Sequence, residues 1–447
     1  MNVVRGSGRR RTGTLTRRTP RRVAAGEANR VADPTWHAER MRTVAEHQAV
    51  VAALFDAPQP VRLSTPEALG CATLADVDAP LSLPGFDNSA MDGFAVLAAD
   101  LASASPERPV TLPVAEDIPA GRTDPLALAP GTAHRIMTGA PLPAGADAVV
   151  PVELTDAVVG PGEAAPQVTF TAPIDAGKHI RRAGSDISAG SRALPAGTVI
   201  GAPQIGLLAA LGVTEVTVGS RLRVVVLSTG SELVEPGKPL RHGQIYESNG
   251  AMLTAAVTEA GALGRHVHFV PDDIAGFLSR LDEVADDADL IITSGGVSAG
   301  AFEVVKEGLS STGTVEFVKV AMQPGMPQGC GHYRGVPIIT LPGNPVSALV
   351  SFEVFIRPAL RAAMGLDPNR RSVTARLGGE IRSPRGKRQF LRGVLRSESA
   401  GDTVVDPIGP PASHHLRYLA EAEVLIDVPA DVDELPAGSS VDVHVLR

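Results

Sequence analysis

The stretch RVVVLSTGSE at residues 223–232 places a continuous apolar run directly before a small, glycine-containing loop. Such a run is typical of a β-strand buried on both faces of a parallel sheet. Further apolar runs at residues 266–270, 290–293, 315–318 and 337–341 alternate with segments of helical periodicity. This alternation predicts a doubly wound parallel sheet over residues 220–365.

The helices between these strands have recognisable ends. Asn249 is placed to cap a helix that stops at Gly261, a second helix is expected from Ile274 to Ala285, and a last one from Val346. Asn favours the N-cap because its side-chain oxygen accepts from free backbone N–H groups.

The flanking segments differ in character. Towards the N-terminus, a first helix is expected to begin near Asp33-Pro34 and to carry Met41, Val44, Val51 and Phe55 on one face. Residues 80–172 are short valine- and proline-rich runs, typical of an irregular β-rich region. Residues 366–447 contain runs of strand character at 373–377, 390–395, 424–428 and 441–446, which predict a small β-barrel or sandwich.

Composition limits the function classes. A chain of 447 residues is too long for one core and predicts two to four domains. The 46 glycines and 37 prolines favour tight turns and ligand-facing loops over long helical bundles. With 3% aromatic residues and a net charge of −8, nucleic-acid binding by stacking or by a basic surface is not expected.

The charge is unevenly distributed. Nine of the 41 basic residues and one of the 49 acidic residues lie in residues 1–30, which leaves a net charge of −16 for residues 31–447. Residues 1–34 have too few large apolar side chains to fold alone and are predicted to be disordered. A polybasic arm or a transit peptide are the alternatives, and translation could also start at Met41, which would place this segment outside the protein.

Cys71 and Cys330 cannot form a disulfide framework, which indicates a reducing cytoplasm. No apolar stretch approaches the roughly 18 residues needed to span a bilayer, so no membrane partner is expected. His266 and His268 share one face of a strand without further ligands at metal-binding spacing and are interpreted as structural.

Glycine-rich loops follow several of the predicted strands. In an open parallel sheet, ligands bind beyond the carboxyl ends of the strands, where backbone N–H groups and helix N-termini stabilise anions. The loops therefore predict an oxyanion cradle, whose candidate residues are Thr229, Gly230, Ser231, Asp273, Gly295, Gly296, Ser298, Pro342, Gly343, Asn344 and Ser347.

Neither a GxxxxGK[ST] loop nor an initial GxGxxG is present, which argues against a P-loop hydrolase and a dinucleotide site. Glu232, Asp273 and Glu303 are hard oxygen donors near the cradle and suit Mg²⁺. The alternative is that they are solvated surface acids or helix caps.

A second dense motif lies at residues 84–95, PGFDNSAMDGFA. With RIMTGAPLP at 135–143, DAVV at 147–150, IRRAGSDI at 180–187, STGSEL at 228–233, SGGVS at 294–298 and LPGNPVS at 341–347, it resembles the molybdopterin molybdenumtransferases, the MoeA proteins and the E domain of gephyrin. The resemblance extends in family order over residues 35–447.

The resemblance implies an enzyme that converts adenylylated molybdopterin and molybdate, with Mg²⁺, into molybdenum cofactor and AMP. It also explains the lack of a cysteine cluster, because the sulfur ligands of molybdenum come from the substrate.

The aspartate that is important for catalysis in the family corresponds to Asp92. It is expected to act at the metal, or on the water and oxyanion involved when AMP leaves. The resemblance further implies that Thr138, Arg181, Arg182, Lys306 and Ser347 hold molybdate or phosphate oxygens. With the two glutamates already named near the cradle, the expected metal ligands are Asp92, Glu232 and Glu303. A solvated arginine pair is the alternative for Arg181 and Arg182.

The family architecture implies a discontinuous domain at 35–79 and 173–219, a β-rich insert at 80–172, the molybdopterin-binding α/β domain at 220–365 and a C-terminal β domain at 366–447. It also implies a homodimer in which residues of the 84–95 motif complete the cleft of the other subunit. A molybdopterin adenylyltransferase and a molybdoenzyme are the expected protein partners.

The chain departs from the family pattern at four positions. Met326 stands where lysine is frequent, Ala301 where an acid is frequent, and Glu303 and Glu247 where aspartate is usual. One additional methylene moves a carboxylate by about an ångström, enough to change metal geometry. Tungstate and molybdate are not distinguished by these motifs.

Two other functions fit the same motifs. One is a scaffold or chaperone that binds molybdopterin without turnover. The other is an adenylyltransferase, which a related stand-alone α/β fold performs. Asp92 favours an enzyme over a scaffold, and the segments around 35–219 and 366–447 favour the transferase.

Overall fold

The computed structural model describes residues 41–157, 165–268, 273–295, 304–397 and 403–447. The helices are α1 (Val44–Ala52), α2 (Ala202–Ala210), α3 (Asn249–Glu259), α4 (Ile274–Ala285), α5 (Val304–Thr312), α6 (Pro345–Ser351), α7 (Arg357–Ala363) and α8 (Leu416–Glu421). Short 3₁₀ turns lie at Ala98–Leu101 and Val152–Leu154, and a π-helical turn at Phe352–Ile356 joins α6 to α7.

The strands are β1 (Pro60–Ser64), β2 (Val77–Asp78), β3 (Asn88–Ser89), β4 (Gly93–Val96), β5 (Val110–Ile118), β6 (Ala133–Ile136), β7 (Ala148–Pro151), β8 (Gln167–Phe170), β9 (Ile180–Arg181), β10 (Arg192–Leu194), β11 (Glu215–Gly219), β12 (Arg223–Ser228), β13 (Leu233–Val234), β14 (Ile245–Tyr246), β15 (Leu263–His268), β16 (Leu290–Ser294), β17 (Val315–Lys319), β18 (Met322–Gln323), β19 (Pro327–Tyr333), β20 (Val336–Leu341), β21 (Ser372–Leu377), β22 (Ile381–Arg382), β23 (Arg388–Ser397), β24 (Thr403–Pro407), β25 (Val424–Val428), β26 (Glu434–Leu435) and β27 (Ser440–Val445).

The predicted doubly wound α/β arrangement is confirmed. A six-stranded sheet has the order β15-β12-β16-β20-β19-β17, and β15, β12, β16 and β20 are parallel. Alternate residues of β12 face opposite cores: Val224 and Val226 pack in the core that contains α3 and α6, while Val225 and Leu227 pack with α4 and α5. This two-sided burial explains why β12 is apolar at every interior position.

One strand of this sheet was not expected. β19 runs antiparallel to both β17 and β20, so the sheet is mixed. Its sequence, PQGCGHY, contains two glycines that weaken a strand prediction. Each has a packing reason: a Cβ on Gly329 would lie 2.2 Å from Thr340 Oγ1, and one on Gly331 would lie 2.0 Å from Thr314 O.

The β-rich segment forms a five-stranded sheet of order β7-β4-β6-β5-β8. Its core includes Phe94 and Phe170, whose rings meet edge to face at 6.2 Å between centroids. The chain on either side of this segment pairs through β1 with β11 and β2 with β10. The exact domain boundaries stay predictions.

The C-terminal region is a closed five-stranded barrel, one of the two predicted alternatives. The order is β23-β24-β21-β27-β25, and β25 pairs back with β23 to close it. Val405, Ile426 and Val443 are fully buried inside. Closure pairs the edges that an open sheet would leave exposed.

The first described helix begins later than expected. Thr43 caps α1 in a capping box with Glu46, so the helix starts at Val44. The expected start at Asp33-Pro34 lies outside the described residues. None of the described helices is both long and apolar enough to cross a membrane.

Candidate functional site

Three separated motifs meet beside the five-stranded sheet. β3 pairs antiparallel with β9, so Asn88 lies opposite Arg181. Gly139 N donates to Ser89 O at 2.8 Å, and Ser89 N donates to Ala140 O at 3.1 Å. The segments 87–93, 138–142 and 179–183 are therefore joined by main-chain hydrogen bonds, and we call them the Asp92 cluster.

Asp92 is an exposed carboxylate with a fixed orientation. It immediately precedes β4, whose Gly93 lies opposite Ile136 of β6. Thr138 donates its backbone N–H (2.6 Å) and its hydroxyl (2.7 Å) to Asp92 Oδ1. These bonds, the backbone one first, lower the pKa of Asp92 below its ordinary value. Asp92 is thus held ionised and directed towards solvent.

The close packing around Asp92 requires the glycine that follows it. A Cβ on Gly93 would lie 2.0 Å from Val150 O of β7. Any larger residue would push β4 away from β7 and displace the neighbouring carboxylate.

The two arginines of the cluster are exposed but differ in their contacts. Arg182 Nη1 pairs with Asp87 Oδ2 at 2.6 Å, and Asp87 Oδ1 accepts from Ala183 N at 2.8 Å. These contacts lower the pKa of Asp87, the backbone bond from Ala183 being the larger cause. Arg181 is placed by the β3–β9 pairing. The structure therefore brings Asp92, Thr138 and both arginines into one region.

The second group lies at the carboxyl edge of the six-stranded sheet, and we call it the sheet-edge cluster. Thr229 N donates to Ser294 O at 3.1 Å, and Gly295 N donates to Leu341 O at 3.1 Å. Gly295 has φ +102°, and a Cβ there would lie 2.5 Å from Thr229 O. Gly343 is close to Gly295, since a Cβ added to Gly343 would lie 3.5 Å from Gly295 Cα. Three predicted loops thus converge.

Asn249 connects this cluster, and the sequence interpretation of it was wrong. Ser248, not Asn249, occupies the N-cap of α3. Asn249 Nδ2 instead donates to Ser294 Oγ (2.8 Å) and to Gly343 O (2.7 Å). Asn249 Oδ1 is buried without a hydrogen-bond partner in the described part of the chain. The predicted cap therefore connects two of the loops that were predicted to bind a ligand.

A buried carboxylate supports the same edge. Glu247 is 2% exposed and accepts from Ser228 Oγ (2.9 Å) and Gly250 N (2.6 Å) with Oε1. His266 Nε2 lies 3.2 Å from Ser228 Oγ and 3.6 Å from Glu247 Oε2. Glu247 therefore joins the end of β12 to the start of α3, and only tertiary packing identifies this role.

The remaining candidates occupy varied positions. Asn344 and Pro342 precede α6, on which Ser347 is buried. Ser231 and Glu232 are exposed beside Gly230, and Lys306 lies on α5. Asp273 caps α4 by accepting from Gly276 N at 2.7 Å, as its alternative interpretation proposed. Gly296, Ser298 and Glu303, with Ala301, lie outside the described residues.

The described residues contain no group of three or more His, Cys, Asp or Glu side chains that could hold a metal ion. Asp92 and Glu232 are hard oxygen donors, and their exposure suits Mg²⁺, which commonly takes one or two carboxylates and completes its shell with substrate phosphates and water. The donors present therefore fit a magnesium ion that arrives with a phosphorylated substrate.

Three family models match the chain. Residues 42–212 match the MoeA N-terminal region (domain I and II), residues 225–362 the probable molybdopterin binding domain, and residues 374–446 the MoeA C-terminal region (domain IV). Both clusters fall within the matched ranges.

Two relatives from Mycobacterium tuberculosis are similar over most of their length. Molybdopterin molybdenumtransferase 2 is 57% identical over 90% of this chain and 99% of its own. Molybdopterin molybdenumtransferase 1 is 40% identical over 91% of this chain and 99% of its own. A crystal structure of a molybdopterin biosynthesis MoeA protein from Pyrococcus horikoshii superposes with a TM-score of 0.76 at 29% identity, covering 91% of this chain and 100% of that one.

Proposed function

Because the chain belongs to the MoeA family of molybdopterin molybdenumtransferases and acts in molybdenum insertion during cofactor biosynthesis, we propose that its substrates are adenylylated molybdopterin and molybdate and that AMP is released. The observation that carries the proposal is the oriented, ionised Asp92 beside exposed arginines. A binding scaffold has no need of such a group.

The sheet-edge cluster supplies binding in this proposal. The N–H groups of Thr229 and Gly295 bond within the cluster and hold the loops together. The converging loops would place other main-chain groups close to phosphate and pterin. Arg181 and Arg182 hold oxyanions by paired donors, and Lys306 contributes a positive charge. Ser347, within the family's probable molybdopterin binding domain, adds a hydroxyl.

Magnesium is part of the proposal. Asp92 and Glu232, with Glu303, would hold it together with substrate oxygens. Bound there, Mg²⁺ would neutralise phosphate charge as the adenylate is lost. The hydrogen bonds from Thr138 orient the Asp92 carboxylate. They also favour its ionised form, so an ionised oxygen is available at neutral pH.

We also propose that the enzyme is a cytoplasmic homodimer. The Asp92 cluster and the sheet-edge cluster lie on different sheets of the chain. In this proposal the cleft forms between the Asp92 cluster of one subunit and the sheet-edge cluster of the other. A molybdopterin adenylyltransferase would supply the substrate and a molybdoenzyme would receive the product. Turnover by a verified monomer would contradict the shared cleft.

The test is an assay with adenylylated molybdopterin, molybdate and Mg²⁺ that follows AMP release and cofactor formation. Asp92→Ala should lower turnover by roughly 10²–10⁴-fold, the range for loss of a positioned acid–base group. Asp124→Ala, which removes an exposed carboxylate paired with Arg122, is the matched control and should keep activity.

The same assay separates the alternatives. AMP release that requires molybdate supports the transferase. Binding without AMP release would indicate a scaffold. In a parallel incubation with molybdopterin and ATP, formation of adenylylated molybdopterin would indicate an adenylyltransferase. Omitting Mg²⁺ and replacing molybdate by tungstate test the metal requirement and the anion preference.

A further inference from the structure

A cavity of about 280 Å³ lies where the α6–α7 helical run, the segment at residues 368–372 and the C-terminal barrel meet. Its charged lining residues are Glu353, Arg357, Arg370, Arg388 and His444. None of the described residues assigned to the Asp92 cluster or the sheet-edge cluster lines it. The cavity is thus separate from the site described above.

Most of the charges around the cavity are paired. Arg370 Nε and Nη2 donate to the two carboxylate oxygens of Glu353, each at 2.9 Å. Arg388 Nε donates to Asp427 Oδ1 at 2.7 Å, and His444 Nε2 lies 3.1 Å from Asp427 Oδ2. Each carboxylate is therefore engaged by one arginine in two-pronged geometry.

Arg357 is the least well paired, because its ion-pair partner Glu353 is already held by Arg370. Its side chain is 8% exposed, and its Nε is buried without a hydrogen-bond partner among the residues that the structure describes. Glu353 Oε2 lies 3.8 Å from that nitrogen, beyond hydrogen-bond distance, while Nη1 reaches Pro368 O at 3.3 Å. Burial and then the charge of Arg370 lower the pKa of Arg357 to about 10.

The balance of charge favours an anion. Arg357, Arg370 and Arg388 face two carboxylates, Glu353 and Asp427, which leaves one net positive charge before His444 is protonated. Arg361 and Asp367 also act on Arg357, but their opposite charges leave this balance unchanged. A buried guanidinium whose carboxylate partner is shared with a second arginine is only partly compensated, and a bound anion would add to that compensation. The rim is accessible, since the side chains of Arg388 and His444 are 37% and 34% exposed.

We propose that this cavity is a binding site for a small anion of the phosphate class, with Arg357 as the donor at its floor. A tetrahedral oxyanion presents several acceptors at once, which matches the planar donor fork of arginine. The anion would accept from the outer end of the Arg357 guanidinium at the floor and contact the exposed edges of Arg370 and Arg388 at the rim. The source is either inorganic phosphate or the phosphate end of a nucleotide.

Calorimetric titration of the full chain with inorganic phosphate, and separately with AMP and with molybdate, tests the proposal. Arg357→Met keeps an unbranched, flexible side chain and removes the guanidinium with its charge. Arg417→Met, on exposed α8 and paired with Glu421, is the charge-matched control. Thr229→Val perturbs the sheet-edge cluster, so anion binding there is measured independently.

We expect saturable phosphate binding by the wild type and by Arg417→Met and Thr229→Val. We expect the affinity of Arg357→Met for phosphate to be weaker by at least about tenfold. Unchanged affinity in Arg357→Met, or binding lost in Thr229→Val alone, would overturn the proposal. Thermal unfolding of each variant, with and without phosphate, verifies that Arg357→Met is folded. Competition between AMP and phosphate would identify a nucleotide as the source, and phosphate binding without competition would identify the inorganic ion.

Discussion

The Asp92 cluster and the sheet-edge cluster use carboxylates in opposite ways. Asp92 is exposed, and both of its described side-chain hydrogen bonds come from one residue, Thr138. Glu247 is buried and joins two elements through Ser228 and Gly250. The first carboxylate is exposed to solvent and any ligand, whereas the second fixes the backbone of the proposed binding loops.

The two carboxylates therefore differ in what they affect: Asp92 is placed to affect turnover, and Glu247 to affect the stability of the fold. An exposed carboxylate exchanges its contacts with water at little cost, whereas removing a buried acceptor leaves donors without partners. Substitutions in the two clusters should therefore affect different measurements, and the following predictions run from the largest expected effect to the smallest.

Glu247→Ala should lower the free energy of unfolding by about 2–4 kcal/mol, because the buried donors of Ser228 and Gly250 lose their acceptor. Asp92→Ala should change it by no more than about 0.5 kcal/mol. Chemical denaturation measures both. Glu247→Gln keeps an acceptor oxygen and serves as control. Equal destabilisation by Glu247→Ala and Asp92→Ala would remove the distinction between the clusters.

Asn249→Ala should weaken binding of the molybdopterin substrate about tenfold, because two hydrogen bonds that hold the ligand loops are lost. Turnover at saturating substrate should fall much less. Thr258→Ala, which removes a hydroxyl bonded to Thr254 O on the same helix, is the control. A fall in turnover with unchanged affinity would place Asn249 in the chemistry instead.

Thr138→Val should move the acidic limb of the pH–rate profile to higher pH. The hydroxyl of Thr138 is the second cause of the lowered pKa of Asp92, after its backbone N–H. Without it the pKa rises, so more Asp92 is protonated and inactive as the pH falls. Initial rates across the acidic range measure the limb, and Thr132→Val, which removes a hydroxyl bonded to Ala129 O, should leave it in place.

Strand and loop patterns were sufficient to predict the α/β unit. The buried run of β12, the helix from Ile274 to Ala285 and the strand Val424–Val428 agree with the expected segments. These elements are specified by local periodicity and by caps such as Asp273, so neighbouring residues carry the information.

The features that the sequence did not predict depend on contacts between residues that are distant in sequence. Gly329 and Gly331 weakened the strand prediction for β19. Both glycines are required because neighbouring atoms leave no space for a Cβ. Asn249 looked like a cap because its local sequence permits one, yet its donors are used between loops. The proximity of Asp92 to Thr138 followed from no local pattern, and resemblance to a family pointed to both residues.

The Asp92 cluster is assembled from segments up to about 90 residues apart in sequence, and such long-range pairing forms slowly and late. During synthesis, Asp92 emerges well before Thr138 and Arg181. A nascent chain that ends before residue 138 therefore carries the aspartate without the threonine that orients it, and one that ends before residue 181 lacks both arginines of the cluster. The reactive group acquires its geometry only after most of the surrounding fold exists, so incomplete chains hold no competent site.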